Sequence, residues 1–215
     1  MGLIKNLIDF ILRLDEHLSA IIQNFGAWTY LLLFLIVFAE TGLVVTPFLP
    51  GDSLLFAAGS FAAIGSLNVL WLFLILSAAA IIGDSVNYSV GKFLGRKSIE
   101  HPTKFIKKEY IDKTQKFYGK YGKKTIVLAR FVPIVRTFAP FVAGIGKMNY
   151  AEFLTYNVVG GLLWVAIFVL GGYFFGNIPV VKENFEVVII LIILISFVPI
   201  ITEFWKHHKE NKSKK

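Results

Sequence analysis

Two stretches of the chain, ETGLVVTPFLPGDSLLFAAG at residues 40–59 and RFVPIVRTFAPFVAG at residues 130–144, combine long apolar runs with prolines and charges. The first stretch carries two acids and the second two arginines, namely Glu40, Asp52, Arg130 and Arg136. A charge at the centre of a membrane helix costs roughly 2.5–3.5 kcal/mol on insertion scales, and backbone groups freed by proline add to that cost. Such segments are therefore expected to face protein or a polar cavity. Acids in the first stretch and arginines in the second predict a transport site with complementary charges. Transporters built from paired, broken membrane segments have sites of this kind.

The composition is that of an integral membrane protein. Of the 215 residues, 56% are hydrophobic and 15% aromatic, and the mean hydropathy is +0.68, whereas soluble domains average about 45–50% apolar residues. The fold class predicted from this is an all-α integral membrane protein, because helices satisfy their own backbone groups in lipid. The chain contains no cysteine, so neither a disulfide nor a thiol nucleophile is proposed.

The positive charge of the chain is concentrated in one connection. Residues 92–124 contain 11 Lys or Arg and 3 Asp or Glu, a net charge of +8 that equals the formal charge of the whole chain. The positive-inside rule places such a connection in the cytoplasm, where anionic lipid also attracts it. No soluble domain of stacking aromatic and base-reading groups accompanies the charge, so nucleic acid is not an expected partner.

Charge-free runs and breaks divide the chain into segments of one membrane domain, residues 1–215. In order, we predict an amphipathic interfacial helix (1–24), a re-entrant hairpin (27–66), a transmembrane helix (68–92), a basic cytoplasmic loop (93–124), a second re-entrant hairpin (125–147), two transmembrane helices (150–178 and 185–205) and a basic cytoplasmic tail (206–215). The predicted hairpin breaks are Pro47, Pro50, Gly51, Pro133 and Pro140.

Short matches within the chain indicate an internal duplication. GSLN at 65–68 recurs as GKMN at 146–149, and GKFLG at 91–95 recurs as GYFFG at 172–176, both offset by 81 residues. Each copy would contain one hairpin and one full crossing, so the second copy would be inverted. The two hairpins would then enter from opposite faces of the membrane and meet near its midplane.

These motifs resemble the DedA family, also called the VTT or SNARE-associated membrane protein superfamily. The residues that carry the resemblance are Glu40 to Gly42, Pro47 to Ser53, Gly83 and Asp84 with Asn87 and Tyr88, and Arg130 to Gly144. The resemblance implies a multi-pass protein of the bacterial inner membrane with two facing re-entrant hairpins. It further implies recycling of undecaprenyl phosphate, proton-dependent envelope functions and drug or alkali tolerance, while eukaryotic relatives scramble phospholipids. It also implies that Glu40, Asp52, Arg130 and Arg136 are the functionally required charges.

The chemistry of a lipid phosphate favours the same residues. Arg130 and Arg136 are the candidate substrate-binding residues, because a guanidinium can bind a phosphate through two parallel hydrogen bonds and keeps its charge when poorly solvated. A topology-setting pair of arginines at the hairpin mouth is the alternative. Glu40 and Asp52 are the candidate charge partners and proton-coupling groups, while Asp52 could instead serve only as a helix N-cap.

Three more polar residues lie in the first long apolar run. Asp84, Asn87 and Tyr88 are candidates for lining the site, since Asp84 and Asn87 lie about one turn apart on one face of a helix. Hydrogen bonds that only hold the helices together are an equal alternative for Asp84 and Asn87.

Three function classes follow. The first is a lipid-phosphate flippase or scramblase that is coupled to protons. Its substrate would be a polyprenyl phosphate or a phospholipid. A proton-coupled carrier for small ions or drugs is the second. The third class, a membrane enzyme, is not expected, and neither a cofactor nor a metal site is expected. The reason is that the four histidines, His17, His101, His207 and His208, all lie outside the predicted membrane core.

Overall fold

The structure is a computed structural model that describes residues 26–43, 51–94, 108–184, 187, 188 and 191. The amphipathic helix predicted at 1–24, the breaks at Pro47 and Pro50, the basic tail 206–215 and most of the span predicted at 185–205 lie outside these residues.

Every regular element in the described residues is a helix, which confirms the predicted all-α class. The α-helices are α1 (Trp28–Gly42), α2 (Gly51–Ala63), α3 (Val69–Leu94), α4 (Lys108–Tyr121), α5 (Thr125–Ala129), α6 (Pro133–Ile145), α7 (Tyr150–Val165), α8 (Gly171–Gly176) and α9 (Pro179–Glu183). A 3₁₀ turn, Gly122–Lys124, joins α4 to α5, and a π-helical turn, Ala166–Leu170, joins α7 to α8.

Two helices within the described residues are long and apolar enough to cross a membrane, α3 and the continuous helix Tyr150–Gly176. At 1.5 Å per residue, each exceeds the hydrocarbon thickness of about 30 Å. In α3 one face is exposed and apolar, with Leu70, Leu74, Ile82, Val86 and Val90 four or eight residues apart. Its opposite face is buried and contains alanine, glycine and the polar residues of the site. The helix therefore presents apolar side chains outward and polar ones to the protein.

The chain divides into two compact units. The described part of the first comprises residues 52–69 and 168–184 with the short stretch before Tyr30. In it α2 packs closely on the helix that ends at Gly176, and Ser60 Oγ donates to Gly172 O at 3.0 Å. A Cβ atom built on Gly59 or Gly172 would collide with backbone of the opposing helix. Glycine at these positions permits the close helix approach that is typical of membrane interiors.

The second unit comprises residues 30–51 and 70–167. Within it α6 packs against α4, where Ile111, Phe138 and Phe141 form a fully buried cluster. It also lies directly against α3, because a Cβ atom on Gly91 would collide with Phe141 O. Small residues thus bring α3 and α6 together, and these two helices carry Asp84 and Arg136.

The prediction of a break at Pro140 is wrong, since α6 runs from Pro133 through Pro140 to Ile145. The break lies N-terminal to it, at Arg130–Val132, and Pro133 occupies the first turn of α6, where a missing N–H costs nothing. Side chains from neighbouring helices bond carbonyls near Pro140. Asn87 Nδ2 donates to Thr137 O at 2.9 Å and Tyr118 Oη donates to Ala139 O at 3.0 Å. These bonds tie the helix on either side of Pro140 to its neighbours, and support from neighbouring helices lets membrane helices tolerate proline.

The end of α6 contains a backbone conformation that favours glycine. Lys147 has a φ of +53°, and the cap is closed by hydrogen bonds from Lys147 N to Gly144 O at 3.1 Å and from Met148 N to Ala143 O at 3.0 Å. The same pair of bonds ends α2, but there the left-handed residue is Gly65, with a φ of +81°. A left-handed conformation costs a non-glycine residue about 1–2 kcal/mol, so Lys147 is a strained position.

We expect Gly91→Ala to lower the melting temperature of the purified protein. Alanine normally stabilises a helix interior relative to glycine by about 0.5–1 kcal/mol, but here its Cβ would push against Phe141 O, and overpacking typically costs about 1–3 kcal/mol. Gly119→Ala, on the exposed face of α4 with open space around it, is the matched control and should raise the melting temperature. Equal shifts of the same sign would contradict the close α3–α6 contact.

Candidate functional site

The guanidinium of Arg130 is held between the two long apolar helices. It lies at the turn between α5 and α6, and its Nη2 donates to Asp84 Oδ2 of α3 at 2.5 Å and to Asn157 Oδ1 of α7 at 2.6 Å. The side chains of Arg130 and Asp84 are only 5% and 6% exposed. At such burial an arginine stays charged and needs a close anionic partner.

Asn157 is itself oriented by α3. Its Nδ2 donates to Ile81 O at 2.9 Å, which turns the amide oxygen toward Arg130. Gly160, one turn further along α7, leaves room for the arginine, because a Cβ atom there would lie 3.2 Å from Arg130 Nε. A polar amide and a bare glycine on one face of α7 therefore form a seat for the guanidinium.

The second arginine forms a separate ion pair. Arg136 of α6 donates through Nη2 to Glu40 Oε1 of α1, and the two side chains are 13% and 4% exposed. Glu40 Oε1 also accepts from Gly51 N, the first backbone N–H of α2, at 3.2 Å. A carboxylate is favoured at a helix N-terminus, where backbone N–H groups lack intrahelical acceptors. A Cβ atom on Gly51 would overlap the Glu40 carboxylate, so glycine at this position is required for the contact.

Trp164 of α7 faces both arginines. The indole is fully buried, and its ring centroid lies 5.9 Å from the guanidinium carbon of Arg130 and 4.9 Å from that of Arg136. These distances fall within the range for cation–π attraction, which strengthens when the partners are desolvated. Trp164 thus brings the two ion pairs to one place.

These groups surround a small cavity, which we call the arginine site. It is lined by Glu40, Thr41, Asp84, Arg130, Arg136, Thr137 and Trp164, and its volume is about 10 Å³. That is about the space needed by one water molecule. The set combines two carboxylates, two guanidiniums and an aromatic face, which can bind an anion and exchange a proton.

The structure brings together some of the predicted residues and not others. Glu40 pairs with Arg136, whereas the partner of Arg130 is Asp84, which the sequence singled out only as lining. Asp52 lies in the first turn of α2 and belongs to the other unit. Asp52 does not line the arginine site.

Of the predicted lining residues, only Asp84 lines the cavity. Asn87 holds three helices together, because its Nδ2 donates to Thr41 O of α1 at 3.1 Å and to Thr137 O of α6 at 2.9 Å. Tyr88 donates to Met148 O and stacks on Phe153 with ring centroids 4.5 Å apart. Asn87 thus follows the alternative of hydrogen bonds between helices, and Tyr88 packs outside the cavity.

Sequence reasoning missed Asn157 and Trp164. Asn157 carries a signal that could have identified it, since an amide in the uncharged run 153–181 is expected to face protein rather than lipid. Trp164 carries no such signal, because an apolar ring in an apolar helix is equally compatible with lipid contact. Within residues 26–43, 51–94 and 108–184, the acidic and histidine side chains form no group of three that could hold a metal ion.

Apolar helices of spanning length around buried ion pairs define an α-helical membrane protein. The comparisons with known proteins agree, since residues 49–174, more than half of the chain, match the VTT domain. The chain is 53% identical to Protein DedA of Escherichia coli (strain K12) over 212 residues, which is 97% of each chain. This protein therefore belongs to the DedA family of membrane proteins.

More distant relatives are also membrane proteins by name. An uncharacterized membrane protein of Mycobacterium tuberculosis (strain ATCC 25618 / H37Rv) is 42% identical over 168 residues, 77% of this chain and 74% of that one. Inner membrane protein YqjA of Escherichia coli (strain K12) is 36% identical over 152 residues, 70% of this chain and 69% of that one. No solved structure matches the chain.

We expect Asp84→Asn to destabilise the protein strongly, because it leaves the Arg130 charge buried without its carboxylate. Breaking a buried pair by removing one partner typically costs about 3–5 kcal/mol. The matched control is Glu152→Gln, since Glu152 forms an exposed ion pair with Lys123 at 2.6 Å and exposed pairs contribute at most about 1 kcal/mol. Unfolding by denaturant in detergent measures both variants. The double variant Asp84→Asn with Arg130→Gln should recover part of the loss, and a loss no larger than that of Glu152→Gln would refute the buried pair.

Proposed function

We propose that this protein is a transporter that moves a lipid phosphate across the bacterial inner membrane, most fittingly undecaprenyl phosphate during carrier-lipid recycling. The proposed inner-membrane location follows the relative Inner membrane protein YqjA. The observation that carries the proposal is the Arg136–Glu40 ion pair, buried beside Trp164 among apolar helices.

Stability alone does not account for two buried ion pairs. Replacing such pairs by well-packed apolar residues is often neutral or stabilising, because desolvation of both charges offsets their attraction. Intramembrane charges that face the protein interior are instead a common mark of substrate and proton pathways. The retained charges therefore support a binding role.

The two arginines differ in what they can do for an anion. Arg136 is the more exposed of the two and is paired with Glu40. A phosphate monoester could replace Glu40 on Arg136 and form two parallel hydrogen bonds with the guanidinium fork. Glu40 would take up a proton as it leaves, which keeps the number of charges in the site low and couples the substrate to a proton.

Arg130, which also lies against Trp164, supports the same binding. Its Nη2 donates to Asp84 and Asn157. Its Nε is buried and has no hydrogen-bond partner within the part of the chain that the structure describes. A buried N–H without an acceptor is costly, and an anion in the arginine site would provide one. In this proposal Arg130 contributes one hydrogen bond and Arg136 two.

We also propose that the segments around α1–α2 and α5–α6 are re-entrant hairpins and that the protein is not an enzyme. The groups that line the arginine site are suited to holding an anion and exchanging a proton. The small volume of the cavity favours one alternative, a proton-coupled carrier for small ions, because about 10 Å³ does not admit a phosphate without opening.

We expect Arg136→Lys to abolish most transport of undecaprenyl phosphate by the purified protein in liposomes. Lysine keeps the charge but cannot form the planar double contact with phosphate. Lys113→Arg, an exposed change on α4, is the control and should transport as the wild type does. Full activity of Arg136→Lys would mean that only the local potential matters.

The same assay separates the alternatives. Transport of undecaprenyl phosphate with little transport of zwitterionic phospholipid supports the proposal, and equal transport of both supports a general phospholipid scramblase. An imposed proton gradient that drives uptake of small ions, with no lipid movement, supports the carrier.

Single cysteines test the proposed orientation in this cysteine-free chain. Lys113→Cys, exposed on α4 in the basic connection, should resist impermeant thiol reagents added outside intact cells. Ser66→Cys, exposed in the turn before α3, should react, because it precedes a helix that ends at the basic connection. The reverse labelling pattern would overturn the orientation.

A further inference from the structure

A second, larger cavity in the same unit lies at the end of α3 that leads into the basic connection. It has a volume of about 960 Å³, which is within the size range of small-molecule binding sites. Its walls include Ile111 of α4, Val142 of α6 and Met148 from the loop before α7. We call this cavity the basic groove, because three lysines line it.

The lysines come from three separate elements. Lys92 belongs to the last turn of α3, Lys123 to the 3₁₀ turn and Lys147 to the loop after α6. Lys123 is paired with Glu152 at 2.6 Å. Within the described part of the chain, neither Lys92 nor Lys147 forms an ion pair. The groove therefore combines apolar walls with an excess of positive charge, which complements an amphiphilic anion.

Lys147 gives an independent sign of function. It adopts the left-handed conformation, with a φ of +53°, in the cap at the end of α6. The equivalent position in the cap at the end of α2 is occupied by Gly65. Glycine at position 147 would remove the strain, so a lysine there is disfavoured by local structure. Strained residues of this kind cluster at binding sites, where the side chain is needed.

The basic groove lies close to the arginine site along two shared helices. Lys92 is two turns beyond Asp84 on α3, and Val142 is six residues beyond Arg136 on α6, which corresponds to about 12 and 9 Å along the helix axes. The arginine site, at about 10 Å³, has no room for a phosphate in this conformation. A phosphate held in the basic groove would therefore lie close to the arginine site when that site opens.

We propose that the basic groove is a binding site for the phosphate headgroup of an anionic lipid, with Lys92 and Lys147 at the phosphate and the start of the hydrocarbon tail along the apolar wall. The occupant is a lipid-borne phosphate, because a free phosphate would leave the apolar wall exposed to water. This inference rests on the proposed function in placing the groove before the arginine site on the substrate's path.

The test measures binding apart from transport. Radiolabelled farnesyl phosphate, a short prenyl phosphate, is equilibrated with the purified full chain in detergent. We expect Lys147→Gly to weaken binding about tenfold, since a hydrogen bond to a charged group contributes roughly 1.5–3 kcal/mol to affinity. The melting temperature of this variant should be equal to or above that of the wild type, because the cap strain is removed. Lower binding with unchanged or higher stability distinguishes a ligand-binding lysine from a structural one.

Matched variants and probes make the result specific. Lys92→Gln should also weaken binding, whereas Lys116→Gln, an exposed lysine on α4 that does not line the groove, should not. A loss with Lys116→Gln as large as with Lys147→Gly would overturn the site and leave only a general positive potential. Farnesol should bind weakly, and inorganic phosphate should compete poorly. Strong competition by inorganic phosphate would overturn the lipid-borne occupant.

Failure of this inference and failure of the proposed function give different results. If the wild type transports undecaprenyl phosphate but Lys147→Gly binds farnesyl phosphate as tightly as the wild type, the groove is refuted and the transport function stands. If the wild type moves no lipid phosphate but Lys147→Gly still loses binding, the groove stands as an anionic-lipid site and the proposed function fails.

Discussion

The burial of the Arg130 guanidinium between Asp84 and Asn157 is the interaction on which the rest of the structure depends. A charge that has lost water must have its partners at hydrogen-bond distance, so α3 and α7 are held at a defined separation and the turn before α6 is held between them. That turn sets where α6 begins. The position of α6 in turn places Arg136 over Trp164 and within reach of Glu40.

The two ion pairs use the same chemistry for different ends. Arg130 is bound by a carboxylate and an amide that is itself oriented by a backbone carbonyl, which makes its position rigid. Arg136 is held by Glu40, which also accepts a hydrogen bond from the backbone N–H of Gly51. Glu40 therefore lies between a guanidinium and a helix N-terminus, and in the proposed mechanism it gives up the first of these contacts when an anion binds Arg136. The pair of Arg130 and Asp84 fixes the frame around it.

Gly91 and Lys147 show opposite backbone requirements, the first in the contact between α3 and α6 and the second at the end of α6. Gly91 allows α3 and α6 to approach until only a bare Cα fits, because an added Cβ would meet Phe141 O. At the end of α6 the requirement is reversed, since a glycine would relieve the backbone of Lys147 and yet a long cationic side chain is present. The same region thus combines tight packing with an accessible basic groove.

The sequence by itself determined the class of the protein, the all-α fold and the two long apolar helices. It also located four charges that are buried or lie at breaks. Hydropathy and charge placement can be read directly from the order of the residues, without knowledge of which helices meet. It also identified the DedA family through motifs around Glu40 and Arg130. Only the tertiary structure decided which charges pair. Asp84 rather than Asp52 accompanies Arg130, since ion pairing depends on which helix faces meet across some 46 residues of chain, and no local pattern encodes that. The same reason explains why Pro140 lies inside a helix, whose Thr137 and Ala139 carbonyls accept hydrogen bonds from other helices. It also explains why Trp164 belongs to the site.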